Sequence, residues 1–329
     1  MNKNLGDIGE RALLKMFEKL VDSGDLPFND DAVAYSISEN QSMVVNIDTF
    51  VRETDAPPKM TPAQMGSKAV TMTISDLAAK GVQPQVIVAS GVFPGDFSVE
   101  NTLELVTGIR ETAHSYNTKF LGGDTNTAGD VILSIVALGL CQKKNLILRS
   151  GALIDDIICT TGYFGLTGAG FKVFLDNYSA TEKQKNKFSS AIYEPKACLE
   201  EGLLFSQFGK INSCIDSSDG LAWSLYELLR NKNDLGIILE NIPIDPTVND
   251  FAKDHNLQAE DLALHAGEEF ELLFTLKEDN FHKLQKLMES KGKVIHRIGR
   301  ITNENPGLIQ YMKEGKLIDV SPKGWEHFQ

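Results

Sequence analysis

The chain is poor in cysteine, and the few cysteines it has are widely separated. Its 329 residues include only four of them: Cys141, Cys159, Cys198 and Cys214. No two form a Cys-x-x-Cys pair, so neither a disulfide framework nor a zinc site is expected. The polar stretch of residues 1–10 has no apolar segment of the kind a secretory signal needs. We therefore expect a cytoplasmic protein.

The chain also lacks long apolar runs and has a deficit of positive charge. No apolar run approaches the roughly 20 residues that a membrane helix requires, so no membrane partner is expected. Lysine and arginine number 32 against 45 acidic residues, a net charge of -13. Without a basic surface a nucleic-acid partner is not expected either. An acidic protein that binds phosphates must place cations between its carboxylates and the ligand.

Several familiar catalytic motifs are missing. There is no GxxxxGK[ST] sequence, which excludes a P-loop kinase. The glycines from Gly162 to Gly170 do not form a GxGxxG fingerprint, and they are more typical of a turn between a strand and a helix. The six histidines show neither HExxH nor triad spacing, so each is interpreted as a core or surface residue.

The apolar pattern predicts two halves in which strands and helices alternate. The first half should contain helices at 8–21, 61–80 and 98–115 and strands at 43–47, 86–89 and 132–140, with Asp48-Thr49 at the end of the first strand. The second half should contain helices from 181 and at 220–231 and strands at 157–161, 237–239, 270–276 and 294–301. We place the boundary near 140–150, which gives domains 1–145 and 146–329.

Acidic residues recur in five short motifs beside glycines, small residues or strands. These motifs are Asn29-Asp30-Asp31, Ile47-Asp48-Thr49, Ser75-Asp76-Leu77, Gly122-Gly123-Asp124-Thr125 and Asp216-Ser217-Ser218-Asp219-Gly220. Taken singly, such motifs are also common in turns and helix caps. Taken together, they could hold Mg²⁺, which prefers oxygen ligands and usually binds one or two carboxylates plus substrate phosphates. The paired glycines and a helix start near Ser218 would let backbone amides approach a phosphate.

In this order the motifs resemble those of the thiamine-monophosphate kinase family, within the aminoimidazole ribonucleotide synthetase and selenophosphate synthetase superfamily. The resemblance extends over nearly the whole chain. It also includes Gly9-Glu10, Lys68-Ala69-Val70, Arg149-Ser150-Gly151-Ala152, Gly267-Glu268-Glu269-Phe270 and Lys323-Gly324-Trp325.

The resemblance implies a fold, a reaction and a set of site residues. The fold would be a two-domain α+β or α/β structure, with an N-terminal mixed sheet that pairs across a homodimer and a C-terminal α/β domain. The reaction would be Mg²⁺-dependent transfer of the ATP γ-phosphoryl group to thiamine monophosphate, with Asp76, Asp124 and Asp219 as catalytic residues. The implied metal ligands are Asp31, Asn46, Ile47 through its backbone, Asp48, Asp76, Asp124, Asp216 and Asp219. The implied ATP contacts are Gly123, Asp124, Arg149 and Ser218, and the implied acceptor contacts are Asp55, Glu268 and Trp325.

The chain departs from the family pattern mainly on the acceptor side. The stretch Val51–Ala56 lacks the family's His-Phe pair, and Glu269-Phe270 replaces Asp-Tyr. Two alternatives therefore stay open: an ATP-dependent enzyme of the same superfamily with another acceptor, and a non-catalytic nucleotide-binding or thiamine-phosphate-binding protein. Selenophosphate synthetase is disfavoured because no reactive Cys or Lys lies in a glycine-rich N-terminal segment. The carbamoyl dehydratase is disfavoured because the C-terminal sequence contains no cysteine.

Overall fold

A computed structural model describes residues 4–230, 232 and 234–326. Asn231, the last residue of the helix predicted at 220–231, lies outside this part. Within the described residues, no helix combines the length and the apolar character needed to cross a membrane.

The first half of the chain forms a five-stranded sheet covered by helices. Its helices are α1 (Gly9–Phe17), α2 (Arg52–Asp55), α3 (Pro62–Ala79) and α4 (Val99–Ser115). Its strands are β1 (Val33–Ser36), β2 (Gln41–Val51), β3 (Pro84–Phe93), β4 (Lys119–Thr127) and β5 (Ile132–Gln142). They lie in the order β1-β2-β5-β3-β4, and only β3 and β4 are parallel neighbours.

The second half forms a seven-stranded sheet with helices packed around it. Its strands are β6 (Asp156–Thr160), β7 (Ser213–Asp216), β8 (Gly236–Leu239), β9 (Leu272–Lys277), β10 (His296–Thr302), β11 (Ile309–Lys313) and β12 (Lys316–Asp319). They lie in the order β12-β11-β8-β10-β6-β9-β7. Its helices are α5 (Leu166–Phe174), α6 (Glu182–Tyr193), α7 (Leu199–Phe208), α8 (Leu221–Leu228), α9 (Pro246–Asp254), α10 (Ala259–His265) and α11 (Glu278–Glu289). The two halves share one large apolar core, and the domain boundary near 140–150 stays a prediction.

Helix α3 is the central element that joins the two halves. Its start is fixed as the sequence predicts, because Thr61 and Gln64 form a reciprocal capping box and Pro62 occupies the first turn. Gly81 follows its end with φ +68°, the left-handed conformation that stops a helix. The helix contacts α4, β2 and β5 of the first half and α7 and β7 of the second. A residue on α3 can therefore meet side chains from both halves.

Three predicted features of the first half differ from the structure. The first helix ends at Phe17, and Phe17 and Val21 are exposed, so the apolar spacing beyond that point does not reflect packing. Asp48-Thr49 lies inside the long strand β2, which continues to Val51, and not at a strand end. Strand β4, absent from the predicted elements, includes the Gly122-Gly123-Asp124-Thr125 motif.

Candidate active site

Three aspartates from distant parts of the chain converge between the two halves. Asp31 precedes β1, Asp76 lies on α3 and Asp216 ends β7. One carboxylate oxygen of each lies within 4.8 Å of the others. Because α3 packs against β7, these separate motifs form one cluster, which we call the carboxylate cluster.

Asp31 is the member of the cluster that is neutralised by protein cations. Its carboxylate pairs with Lys80 Nζ at 2.7 Å and with the Arg149 guanidinium. Burial alone would raise the pKa of Asp31, but the charges of Arg149 and Lys80 outweigh burial and lower it. Asp30 supports the same arrangement, because its carboxylate pairs with Lys80 and accepts a hydrogen bond from the Arg149 backbone amide at 3.0 Å.

Asp76 and Asp216 accept side-chain hydrogen bonds, but the positive charge near them is too small to balance their carboxylates. The Asn46 amide donates to Asp76, and the Ser75 hydroxyl donates to Asp216 at 2.7 Å. Burial, followed by the charges of Asp216 and Asp48, raises the pKa of Asp76 well above its ordinary value. Burial likewise raises the pKa of Asp216 to about 7.

The donor set of the cluster fits a hard divalent cation. Carboxylate and amide oxygens are the ligands that Mg²⁺ prefers. Burial also raises the pKa of Asp48, whose carboxylate accepts a 3.3 Å hydrogen bond from the Asn46 amide. Asp216 is buried and Asp48 and Asp76 are half-buried, and their raised pKa values indicate a place where added positive charge would be stabilising.

Two cavities meet at this cluster. One has a volume of about 330 Å³ and the other about 730 Å³. They share a set of polar lining residues: Glu10, Asp48, Asp76, Asp216, Ser218 and Asp219. Those shared residues form a common wall, so ligands in the two cavities would face each other across the carboxylates.

The smaller cavity, which we call the arginine cavity, is lined by three arginines. Glu227 on α8 pairs with all of them: with Arg11, with Arg149 at 3.4 Å and with Arg230 at 2.8 Å. The Arg11 guanidinium also lies over the Trp223 ring, 3.4 Å from its centroid. Arg149 also pairs with Asp31, and acidic residues outnumber arginines in the lining of this cavity. An anionic ligand could contact the guanidinium groups, but it would need added cations at the carboxylate cluster.

The larger cavity, which we call the aromatic cavity, is mostly apolar. Its apolar lining residues are Ala56, Pro57, Pro58, Met72, Phe171, Leu175, Phe270 and Trp325. Glu268 and Asp55 add carboxylates to the lining of this cavity. The Asp55 carboxylate accepts hydrogen bonds from the Val51 amide at 2.7 Å and the Thr54 hydroxyl at 2.9 Å. These bonds join the two ends of the short helix α2.

The loop 267–270 is held firmly against the Asp216–Asp219 loop. The backbone amide of Glu268 donates to the Ser218 carbonyl at 2.6 Å, and that of Phe270 donates to the Ser217 carbonyl at 3.0 Å. Glu268 and Phe270 have φ values of +67° and +53°, which are unfavourable for residues other than glycine. Such strain persists where surrounding bonds impose it, commonly at functional sites.

Glu269, in the same loop, has a structural role at the start of helix α5. Its carboxylate accepts hydrogen bonds from the Gly165 amide at 2.7 Å and the Thr167 amide at 3.2 Å, at the start of α5. Burial raises the pKa of Glu269 to about 7, against the opposing effect of these bonds. Gly165 has φ +98° at the N-terminus of α5, which confirms the predicted strand-to-helix turn at this glycine.

Most of the predicted site residues line one of the two cavities. Beyond the shared wall, Asp31, Asn46 and Arg149 line the arginine cavity, and Asp55, Glu268 and Trp325 line the aromatic cavity. Gly123, Asp124 and Ile47 line neither cavity. Their roles, like those of the other site residues, stay predictions.

Gly123, Asp124 and Ile47, which line neither cavity, lie on strands of the five-stranded sheet. A Cβ at Gly123 would lie 1.6 Å from the Ala89 carbonyl oxygen of β3, so close strand pairing already requires glycine there. Ile47 is 61% exposed on the uncovered face of the sheet. Asp124 lies next to Gly123 on β4, an edge strand of the sheet.

Sequence reasoning identified Arg149 but missed the other basic partners of the site. Lys80 is fully buried against Asp30 and Asp31, which lie about fifty residues earlier in the chain. Nothing local in the sequence indicates such long-range ion pairs. The pair of Glu227 with Arg230 has i, i+3 spacing and could have been found from it, but that spacing is common on solvated helices.

The chain is similar to known proteins over nearly its whole length. Residues 29–141 match the family model described as "AIR synthase related protein, N-terminal domain". A thiamine-monophosphate kinase of Pyrococcus abyssi is 34% identical over 97% of this chain and 95% of that protein. Another, from Nitrosopumilus maritimus, is 29% identical over 99% of this chain and 100% of that protein.

The fold is also that of solved structures of this kind. The structure of AaThiL complexed with AMPPCP and TMP has a TM-score of 0.86 and covers 99% of both chains, at 21% identity. The predicted two-part mixed α/β fold is thereby confirmed. On the full-length similarity to relatives above 30% identity, the chain belongs to the thiamine-monophosphate kinase family.

Proposed function

We propose that this chain is an ATP-dependent kinase that phosphorylates thiamine monophosphate to thiamine diphosphate. The observation on which this rests is the common wall of carboxylates between the arginine cavity and the aromatic cavity. A transfer between two bound ligands requires their reacting groups to meet, and such a wall brings them together. The sequence relatives bear the same activity in their names.

ATP fits the arginine cavity. Arg149 is held by Asp31 and Glu227 with its guanidinium at the edge of the carboxylate cluster, where a phosphate would bind as a bidentate ligand. Ser218 lies in the loop just before α8, and its neighbourhood offers backbone amides to an anion. The predicted contacts of ATP with Arg149 and Ser218 are therefore kept in this proposal.

Thiamine monophosphate fits the aromatic cavity. Its thiazolium ring is a flat cation, for which an aromatic face such as Trp325 and a carboxylate such as Glu268 are suitable partners. Its phosphate would then reach the common wall. The His-Phe pair absent from Val51–Ala56 is replaced here by a segment whose Asp55 and Ala56 line the cavity.

Mg²⁺ is the cation that this proposal requires at the carboxylate cluster. The residues that would hold it are Asp31, Asn46, Asp48, Asp76, Asp216 and Asp219, with Ile47 and Asp124 as further predicted ligands. When bound, it neutralises the phosphates that meet at the common wall. We assign no protein nucleophile, because the acceptor phosphate oxygen is already an anion.

We also propose that the chain forms a homodimer through the open face of the five-stranded sheet. Strand register places apolar side chains on this face, and six of them are well exposed: Val33, Tyr35, Ile47, Val88, Leu121 and Leu140. Such a continuous apolar surface is typical of a protein interface. Gly123 and Asp124 lie on an edge strand of this sheet, so a dimer is the arrangement in which they could reach an active site.

A cytoplasmic location is proposed with it. All four cysteines are free. Cys159 of β6 and Cys214 of β7 lie on the two sides of β9, each in register with Phe274, and they form no disulfide. Burial raises the pKa of both thiols, which keeps them unreactive.

Incubation with ATP, Mg²⁺ and thiamine monophosphate tests the proposal. We expect thiamine diphosphate by chromatography, and none when EDTA removes the metal. Magnesium-dependent ATP turnover only with another phosphate acceptor would instead favour a different enzyme of the superfamily. ATP binding without any turnover would favour a non-catalytic binding protein.

A further inference from the structure

Lys68 on α3 is a buried cation that belongs to neither the carboxylate cluster nor the arginine cavity. Its side chain is 1% exposed. Its ammonium group donates to the Asp55 carbonyl at 2.7 Å and lies 2.5 Å from Glu268 Oε1. An ammonium group is buried at high cost unless it is paired, so these two contacts determine its position.

The two partners of Lys68 belong to different walls of the aromatic cavity. Asp55 ends α2, and Glu268 lies in the loop 267–270 of the second half. Met72, one turn beyond Lys68 on α3, lines the same cavity. Lys68 therefore links the two walls from behind, through one hydrogen bond and one ion pair.

The same helix carries a member of the carboxylate cluster. Asp76 is eight residues beyond Lys68, which is roughly 12 Å along the axis of an α-helix. Glu268 is tied to the cluster a second time, because its amide bonds to Ser218. Helix α3 and this loop together fix the spacing between the Glu268 carboxylate and the common wall.

We infer that Lys68 is a positioning residue for the phosphate acceptor. It holds the Glu268 carboxylate where it can receive the cationic ring of the acceptor while the acceptor's phosphate reaches the common wall. This inference rests on the proposed function. It concerns the acceptor only, because the contacts of Lys68 lie away from the arginine cavity.

The electrostatics of the pair agree with this role. Burial raises the pKa of Glu268, and the neighbouring Lys68 ammonium opposes that rise. Lys68 contacts Oε1 of Glu268 in the ion pair, and a carboxylate has a second oxygen that can accept from a ligand. Removal of Lys68 would both release the Glu268 side chain from its fixed position and favour a neutral Glu268.

The first experiment compares kinetic constants of Lys68→Met with those of the wild type. Truncation of one partner of a buried charge pair leaves the other charge without its partner, so the Glu268 carboxylate should lose its fixed position. We expect the KM for thiamine monophosphate to rise about tenfold or more, with the KM for ATP within about twofold. Lys68→Arg keeps the charge and should recover part of the loss. Lys185→Met, which removes an exposed lysine paired with Glu182, is the matched control and should leave both values unchanged.

A double-mutant cycle with Glu268→Gln separates positioning from a merely structural effect. If Lys68 acts through Glu268, the double variant should be no worse for the acceptor KM than the more impaired single variant. Independent structural damage would instead multiply the two effects and would raise the KM for ATP as well. That second result would overturn the inference.

Folding and the proposed function are checked separately. Circular dichroism and thermal unfolding show whether Lys68→Met is folded; if it is not, Lys68→Gln, which keeps a donor without the charge, takes its place with the same expectation. Wild-type turnover with an unchanged acceptor KM in the variant would overturn the inference alone. A wild type that neither phosphorylates nor binds thiamine monophosphate, as measured by calorimetry, would overturn the proposed function and this inference together.

Discussion

At the scale of single residues, the active site is defined by which charges are compensated. Asp31 is neutralised by Lys80 and Arg149, whereas the half-buried Asp76 and the buried Asp216 lie close together with too little positive charge nearby to balance them. The sequence predicted all three aspartates from short motifs. It could not predict their compensation, because Lys80 and Arg149 reach Asp31 only through the tertiary fold.

Asp76→Asn and Asp219→Asn test the common wall. Each change removes a negative charge while nearly preserving the shape of the side chain. We expect activity to fall by at least about a hundredfold, as it does when other enzymes lose one group that stabilises charge in the transition state. Steady-state assays at saturating Mg²⁺ measure this, with circular dichroism to confirm the fold. Asp96→Asn is the matched control, since Asp96 is exposed and lines neither cavity. Near wild-type turnover in either test variant would refute the assignment at that position.

At the scale of elements, glycine and capping positions decide how the strands and helices meet. The capping box of α3 and the left-handed Gly81 were predicted correctly, because these are local devices with local sequence signals. Strand β4 was not predicted, since glycines in Gly122-Gly123-Asp124 suggest a turn. The close approach of Gly123 to Ala89 of β3 explains the glycine instead.

Gly123→Ala should destabilise the pairing of β3 with β4. The new Cβ would lie 1.6 Å from the Ala89 carbonyl oxygen, so the strands must separate. We expect a loss on the order of 2 kcal/mol or more in the free energy of unfolding, measured by urea titration. Gly129→Ala is the control, because nothing lies within 4 Å of a Cβ there. Equal stability of the two variants would contradict the close approach.

Glu269 should make stability depend on pH through its position at the start of α5. Its pKa is about 7 in the folded chain, above the ordinary 4.5. At pH values between these two, the carboxyl group is therefore protonated in the folded state and ionised in the unfolded state. This contribution to stability is therefore present at low pH and is lost as pH rises through about 7.

The variant Glu269→Gln tests this dependence, because it keeps an acceptor for α5 and cannot ionise. Between pH 5 and pH 8, we expect the wild type to lose on the order of 1–2 kcal/mol more unfolding free energy than the variant. Urea titrations at both pH values measure the difference. Glu289→Gln, at an exposed position, should behave like the wild type. The opposite sign would show that the hydrogen bonds to α5 dominate over burial.

At the scale of the whole molecule, the site exists because two halves of the chain share one core. The sequence predicted two alternating halves and, through the family motifs, their joint site. It did not reveal the two cavities or the uncovered apolar face of the first sheet, since both depend on the register of strands and the packing of α3.

Leu140→Glu should weaken the proposed dimer. Leu140 lies on the open face of the sheet, and a buried glutamate without a partner would be costly there. Light scattering after size exclusion should show a shift from dimer to monomer. Leu103→Glu places the same charge on an exposed leucine of α4 and should leave the mass unchanged. A monomeric wild type, or a dimer that survives Leu140→Glu, would contradict the proposed interface.

The most direct test of phosphoryl transfer across the common wall uses ATP labelled in its γ-phosphoryl group. With thiamine monophosphate and Mg²⁺ present, we expect the label in the terminal phosphate of thiamine diphosphate at the rate at which ADP forms. Label found only in inorganic phosphate, with thiamine monophosphate unchanged, would show that the two cavities do not bring these two ligands together.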